Sequence, residues 1–146
     1  MKQFFSLLLL ITYYFTSAQQ AETLVQLGHS DRVRCVSMTP DGQYAVTGSS
    51  DNTIKLWNMS NGLLIRTFNG HRGLVYAVQI SKDGKTIYSC SWDDQRIIKW
   101  DAQSGKILKQ FIQVKSPVNG IVLSHSSQWL ACKNDDGVFL LNTNDF

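Results

Sequence analysis

The chain has 146 residues, 43% of them apolar and 17% charged, enough for one modest domain and too apolar for a disordered one. Its formal net charge of +3 comes from 14 basic and 11 acidic residues scattered along the chain, which excludes the basic stripe of a nucleic-acid-binding surface. The three cysteines, Cys35, Cys90 and Cys132, form no CxxC pair and sit in apolar runs, so they read as small buried hydrophobes rather than zinc ligands or a redox motif.

The first stretch, "MKQFFSLLLLITYYFTSAQQ", carries one Lys, an apolar run from Phe4 to Phe15, and the small residues Thr16 and Ala18 at cleavage-site offsets. This is the pattern of a signal peptide over residues 1–18. The run falls short of the about 20 residues of a membrane span, which argues against an uncleaved anchor. The mature chain is therefore expected to start near Gln19, to be secreted or periplasmic, and to insert in no membrane once cleaved.

A short strand, "TLVQL" (Thr23 to Leu27), comes next without a partner nearby in sequence. The first of two long similar phrases follows, "LGHSDRVRCVSMTPDGQYAVTGSSDNTIKLWN", from Leu27 to Asn58. It reads as a strand "VRCVSM", a turn "TPDGQ", a strand "YAVTGS", a turn "SDN", and a strand "TIKLW", with "LLIRTF" as a fourth. The second phrase, "NGHRGLVYAVQISKDGKTIYSCSWDDQRIIKWD", runs from Asn69 to Asp101 and ends in the strand "KILKQFI". Gly28-His29 and Gly70-His71 lie 42 residues apart, whereas Trp57 and Trp100 lie 43 apart, so the second copy holds one extra residue. A degenerate third copy, "SPVNGIVLSHSSQWLACKNDDGVFLLN", keeps Val118, Ile121 and Leu123 but has "SHSSQW" for the Asp-Gly turn and Leu141-Asn142 for Trp-Asp. It stops after its third strand. The copies span about 23–68, 69–112 and 113–146. No segment past the leader has sustained helical periodicity, so the fold class is all-β. Sheets with two apolar faces must stack to cover them.

Gly-His, Asp-Gly, Asp and Trp-Asp at this period resemble the WD-repeat family of β-propellers. The resemblance implies a segment of three four-stranded antiparallel blades, incomplete as a monomer because propellers typically have four to eight. It also implies a buried hydrogen-bond network in each full copy: His29, Thr47, Asp51 and Trp57 in the first, His71, Ser89, Asp93 and Trp100 in the second. Asp94 rivals Asp93; the Ser89-to-Asp93 spacing repeats Thr47-to-Asp51 and favours Asp93, with the extra residue bulging in the third strand. Asp135, with Ala131 at the hydroxyl position, is what the third copy keeps. His, Asp and Ser also make hydrolase triads, but the repeat accounts for the same residues and no nucleophile elbow accompanies them.

The family's partner surface is one rim. The matching positions are Arg32, Arg34 and Ser50, then Leu74, Tyr76 and Trp92, then Pro117, Asn119 and Asn134. Arg, Tyr and Trp are the usual binding anchors, although Trp92 could equally pack between blades. The function implied is a non-enzymatic scaffold for a protein or peptide, with no cofactor, metal or nucleic acid. The alternatives are the targeting portion of a larger extracellular enzyme, and a propeller binding a small ligand in its channel. The missing blades could come from a longer chain, or from a second copy completing a six-bladed ring in which each "TLVQL" finishes the other's third blade.

Overall fold

The computed structural model describes residues 28–112 and 116–145. The leader and the strand expected at 23–27 lie outside the described residues.

Eleven strands form three antiparallel sheets in chain order. The first sheet holds β1 (Val33–Met38), β2 (Tyr44–Ser49), β3 (Thr53–Asn58) and β4 (Leu64–Asn69). The second holds β5 (Val75–Ile80), β6 (Thr86–Ser91), β7 (Arg96–Asp101) and β8 (Ile107–Phe111). The third holds β9 (Gly120–Leu123), β10 (Trp129–Asn134) and β11 (Gly137–Asn142), so it has three strands among the described residues rather than the four expected.

The turns follow from local chemistry. Thr39 Oγ1 donates to Asp41 Oδ1 at 2.6 Å and Ser81 Oγ to Asp83 Oδ1 at 2.6 Å, while Gly42 and Gly84 take left-handed φ values of 69° each. The third sheet makes the same turn from "SHSSQW": Ser127 stands at φ 57° where the other two place glycine, and its N–H donates to Ser124 O at 2.8 Å.

Alternating strand faces give two cores. Val46, Ile54, Leu56 and Phe68 of the first sheet pack on Val75, Val78, Ile80, Ile87, Ile98 and Trp100 of the second. Tyr88, Cys90 and Ile97, on the second sheet's other face, pack on Val118, Ile121, Leu130 and Cys132 of the third. Gly48 permits the first contact, because a Cβ there would lie 2.6 Å from Val75 Cγ1 and 2.7 Å from Cys35 Sγ. All three cysteines are free thiols in these interfaces; burial pushes Cys35 up to about 11 and Cys132 up to about 12.

Candidate functional site

The equivalent strands of the first two sheets carry the same irregularity. The β1–β2 ladder shifts between Val33 and Cys35, and the β5–β6 ladder shifts between Val75 and Ala77. Arg34 and Tyr76 are thus the unpaired residues of two matching bulges, which re-aim a side chain away from the sheet. Both bulges stand at the edge where the β2–β3 and β6–β7 loops emerge. Arg34 Nε donates to Ser50 Oγ at 2.7 Å, and its guanidinium lies 5.4 Å from the Tyr76 ring centroid. Tyr76 in turn packs on Trp92, with centroids 5.8 Å apart and planes at 40°. Four residues from two sheets therefore form one continuous stack, Ser50–Arg34–Tyr76–Trp92. Trp92 is half-buried, and its partner Tyr76 also packs against the core between the second and third sheets.

The other rim positions behave differently. Arg32 is exposed and its carbonyl accepts from Ser50 N at 2.9 Å, which ties the loop without entering the stack. Leu74 N–H donates to Asp93 Oδ2 at 2.8 Å. Asn119, at the position of Arg34 and Tyr76 in the third sheet, donates from Nδ2 to Asp135 Oδ1 at 3.3 Å. Pro117 is half-buried beside it, and Asn134 is buried with its side-chain oxygen accepting from Asp136 N at 3.0 Å.

Beneath the rim lie the two buried networks. In the first sheet His29 Nδ1 meets Asp51 Oδ2 at 2.9 Å and Nε2 meets Thr47 Oγ1 at 2.8 Å, while Trp57 Nε1 donates to Thr47 Oγ1 at 2.9 Å. A proton on Nδ1 satisfies the set: the ring donates to the carboxylate, and the hydroxyl donates to Nε2 while accepting from the indole. In the second sheet His71 Nε2 meets Ser89 Oγ at 2.7 Å, and Trp100 Nε1 donates to Ser89 Oγ at 2.8 Å. Ser89 is fully buried, which removes it as a nucleophile.

The carboxylate on His71 is Asp94, at 2.9 Å from Nδ1, and this corrects the expectation of Asp93. The reason is local. Asp51 accepts from Thr53 N at 2.9 Å and Asp94 from Arg96 N at 3.0 Å, so each is fixed by the strand that follows it. The β6–β7 ladder runs unbroken from Thr86↔Asp101 to Ser91↔Arg96, so the extra residue sits in the loop before Asp94 and not in the third strand. The signal was available in the Asp-to-Trp separation, which is six residues for Asp51–Trp57 and again for Asp94–Trp100. Asp93, released from the network, holds the 72–74 loop instead. Gly73 allows this approach, since a Cβ there would lie 2.3 Å from Asp93 Cβ.

Burial works against ionising Asp51, but the hydrogen bonds from Thr53, His29 and Ser30 outweigh it and hold the carboxyl well below its usual range. Burial likewise opposes ionisation at Asp94, and the bonds from His71, Arg72 N and Arg96 N lower it in the same way. Among its described residues the third sheet has no such set. By register Cys132, opposite Ile121, occupies the position of Ser89, opposite Val78, so Cys132 and not Ala131 stands where the hydroxyl would be. The carboxylate that follows Cys132 by four residues, as Asp51 follows Thr47, is that of Asp136, which accepts from the Ser116 hydroxyl, while Asp135 accepts from Asn119.

At the opposite edge, a cleft of about 640 Å³ is lined by Asp83, Tyr88, Lys99, His125 and Thr143 among others. Its Lys99 Nζ donates to Thr143 O at 2.7 Å, so that ammonium is engaged in holding the third sheet to the second.

Two paired networks under matching bulges are the geometry of a repeated unit, and residues 21–58 and 62–101 match the family described as "WD domain, G-beta repeat". The chain belongs to the WD-repeat family. The WD-repeat chain is 35% identical over 83 residues to a WD repeat domain-containing protein 83 homolog of Dictyostelium discoideum, covering 57% of the chain and 25% of that protein. It is 32% identical over 113 residues to the small ribosomal subunit protein RACK1y of Oryza sativa subsp. japonica, covering 76% of the chain and 33% of the relative. It is 31% identical over 123 residues to the pre-mRNA-splicing factor cwf17 of Schizosaccharomyces pombe, covering 83% and 36%. The WD-repeat chain thus spans about a quarter to a third of the length of these curated relatives.

Proposed function

We propose that this WD-repeat chain is a non-enzymatic scaffold that holds a protein or peptide partner on the rim formed by Arg34, Tyr76 and Trp92, with Ser50 and Asn119 at its sides. The observation that supports this reading is the alignment of the two bulges. Each leaves an anchor-type side chain, Arg34 or Tyr76, at the same height on neighbouring blades. Aromatic and Arg side chains supply most of the energy at protein interfaces, and these are held in place before a partner arrives. The buried networks hold the blades and are not the recognising groups. The relatives carry names as different as a ribosomal subunit protein and a splicing factor, so they suggest a mode of action rather than a partner.

The test is selection of a random displayed peptide library on the immobilised full chain, followed by affinities for Tyr76→Ala and Trp92→Ala. Selected peptides should lose about tenfold or more in affinity with either variant, the size expected for an interface anchor. Selected peptides that bind both variants unchanged would place the interface elsewhere.

Export belongs to the same proposal, supported by the composition of residues 1–18. Expression of the full chain with a C-terminal tag, followed by N-terminal sequencing of the mature product, should give a start near Gln19; a product beginning at Met1 and retained in the cytoplasm would sink it.

A further inference from the structure

We propose that the rim recognises a carboxylate side chain, Asp or Glu, set next to an aromatic or large apolar residue of the bound peptide. This inference rests on the rim reading above and specifies its ligand. The geometry around Arg34 carries it. One face of the guanidinium lies over Tyr76 at 5.4 Å, and its Nε–H is taken by Ser50 Oγ at 2.7 Å. These two contacts fix the plane and the rotation of a group that is otherwise long and flexible. What they leave over is the outer edge, with its two terminal amino groups. Among the described residues the ion pairs within 4.0 Å are His29–Asp51 and His71–Asp94, so no described carboxylate neutralises Arg34.

A planar edge with two parallel N–H groups matches the two oxygens of a carboxylate. Fixing the plane in advance removes most of the ordering cost that makes exposed ion pairs weak. Two acids of the rim are engaged by backbone N–H groups instead, Asp93 by Leu74 N at 2.8 Å and Asp31 by Arg32 N at 2.6 Å. The aromatic half of the motif follows from Trp92. Its ring is half-buried, tilted 40° to Tyr76, and extends the apolar surface beyond the charge. A ligand carboxylate on Arg34 therefore brings the adjoining residue over Tyr76 and Trp92. One guanidinium edge fits a singly charged, two-oxygen group; a phosphate would call for further basic side chains, and Arg32 joins Ser50 through its carbonyl rather than its guanidinium.

The experiment uses the peptides selected on the full chain, resynthesised with amidated C termini so that any carboxylate is a side chain. The expected result is a shared Asp or Glu beside an aromatic or large apolar residue. Its replacement by Asn or Gln should weaken binding about tenfold on the native chain and less than about twofold on Arg34→Lys, which keeps the charge but loses the fork. Ser50→Ala, which frees Nε, should give an intermediate loss for acidic peptides and none for their amide versions. Arg34 is exposed, and circular dichroism of each variant checks that the sheets persist. Peptides that require Tyr76 and Trp92 but share no acidic residue, or tolerate its amide, overturn the carboxylate inference and leave the rim reading standing. If no selected peptide depends on Tyr76 or Trp92, the rim reading falls and takes the inference with it.

Discussion

Val36 on β1 and Val78 on β5 hold the same place in their blades, each opposite the hydroxyl residue of its own network: Val36 pairs with Thr47 and Val78 with Ser89. Val78 is 2% exposed and Val36 is 63% exposed. The difference is the neighbour. Blade 1 lies on the second sheet's face, and no described residue lies on blade 1's own. Val33 and Met38, matching the buried Val75 and Ile80, are exposed with it, as are Val122, Val138 and Leu140 on the far side of the third sheet. Both end faces have the composition of the covered ones between them.

Val78→Ala should therefore destabilise the fold by about 2 kcal/mol, through lost burial and an unfilled cavity. Val36→Ala should cost less than about 0.5 kcal/mol in the isolated chain. Urea unfolding of both variants checks the pair. Equal costs would show that blade 1's outer face is covered in solution, by a second copy of the chain or by residues outside those described.

Asp94→Ala should cost about 2–3 kcal/mol, because it strands the buried His71 ring N–H and two backbone N–H groups, those of Arg72 and Arg96. Asp93→Ala loses the one bond to Leu74 N and should cost about 1 kcal/mol, with its larger effect on peptide affinity at the rim. Denaturant midpoints for the two variants decide the assignment; a costlier Asp93→Ala would reverse it.

The extra residue also leaves a mark on Ser91. In the first blade Ser49 Oγ donates to Asp31 O at 3.1 Å and accepts from Asp51 N at 3.1 Å. Ser91 takes that position in the second blade, is fully buried, and its hydroxyl has no partner. Ser49→Ala should lose about 1 kcal/mol, whereas Ser91→Ala should be neutral or stabilising, since it removes an unpaired buried group. Thermal unfolding of the two variants under identical conditions gives the comparison.

Ser127 holds a left-handed backbone where the equivalent turns use Gly42 and Gly84. Ser127→Gly relieves that strain at the cost of a more flexible unfolded chain, and should stabilise the third blade by about 0.5–1 kcal/mol. Hydrogen exchange of the β10 amides is the local readout, and faster exchange in the variant would contradict the expectation.

The network carboxylates set an acid limit. Asp51 and Asp94 titrate lower in the folded chain than in the unfolded one, as hydrogen bonds to the ionised form outweigh the burial that opposes it. Folding then favours the state with fewer bound protons. Their stabilisation is complete above the unfolded carboxyl value of about 4 and declines as pH falls from there through the lower folded values. Stability measured by urea at stepped pH should fall below about pH 4 in the native chain and fall less steeply in Asp94→Asn. A native chain whose stability is flat from pH 5 to pH 2.5 would contradict the depressed values.

The sequence by itself determined the all-β class, the three copies and most of the network partners. These are local matters: a 42-residue period, Gly at left-handed turns, and polar types that can satisfy one another when buried. It carried the Asp94 assignment too, in the six residues that separate Asp from Trp, though counting from Ser89 pointed to Asp93. What it left undecided needed neighbours in space. Arg34 and Tyr76 are separated by 42 residues, and no periodicity states that two bulges lift them to one height or that Trp92 closes the stack. A bulge is a mismatch between two strands, so it belongs to a pairing register and not to either strand's own sequence. The contrast between Val36 and Val78 has the same origin: identical residues in matching phrases differ in burial only because one of them has a blade against it.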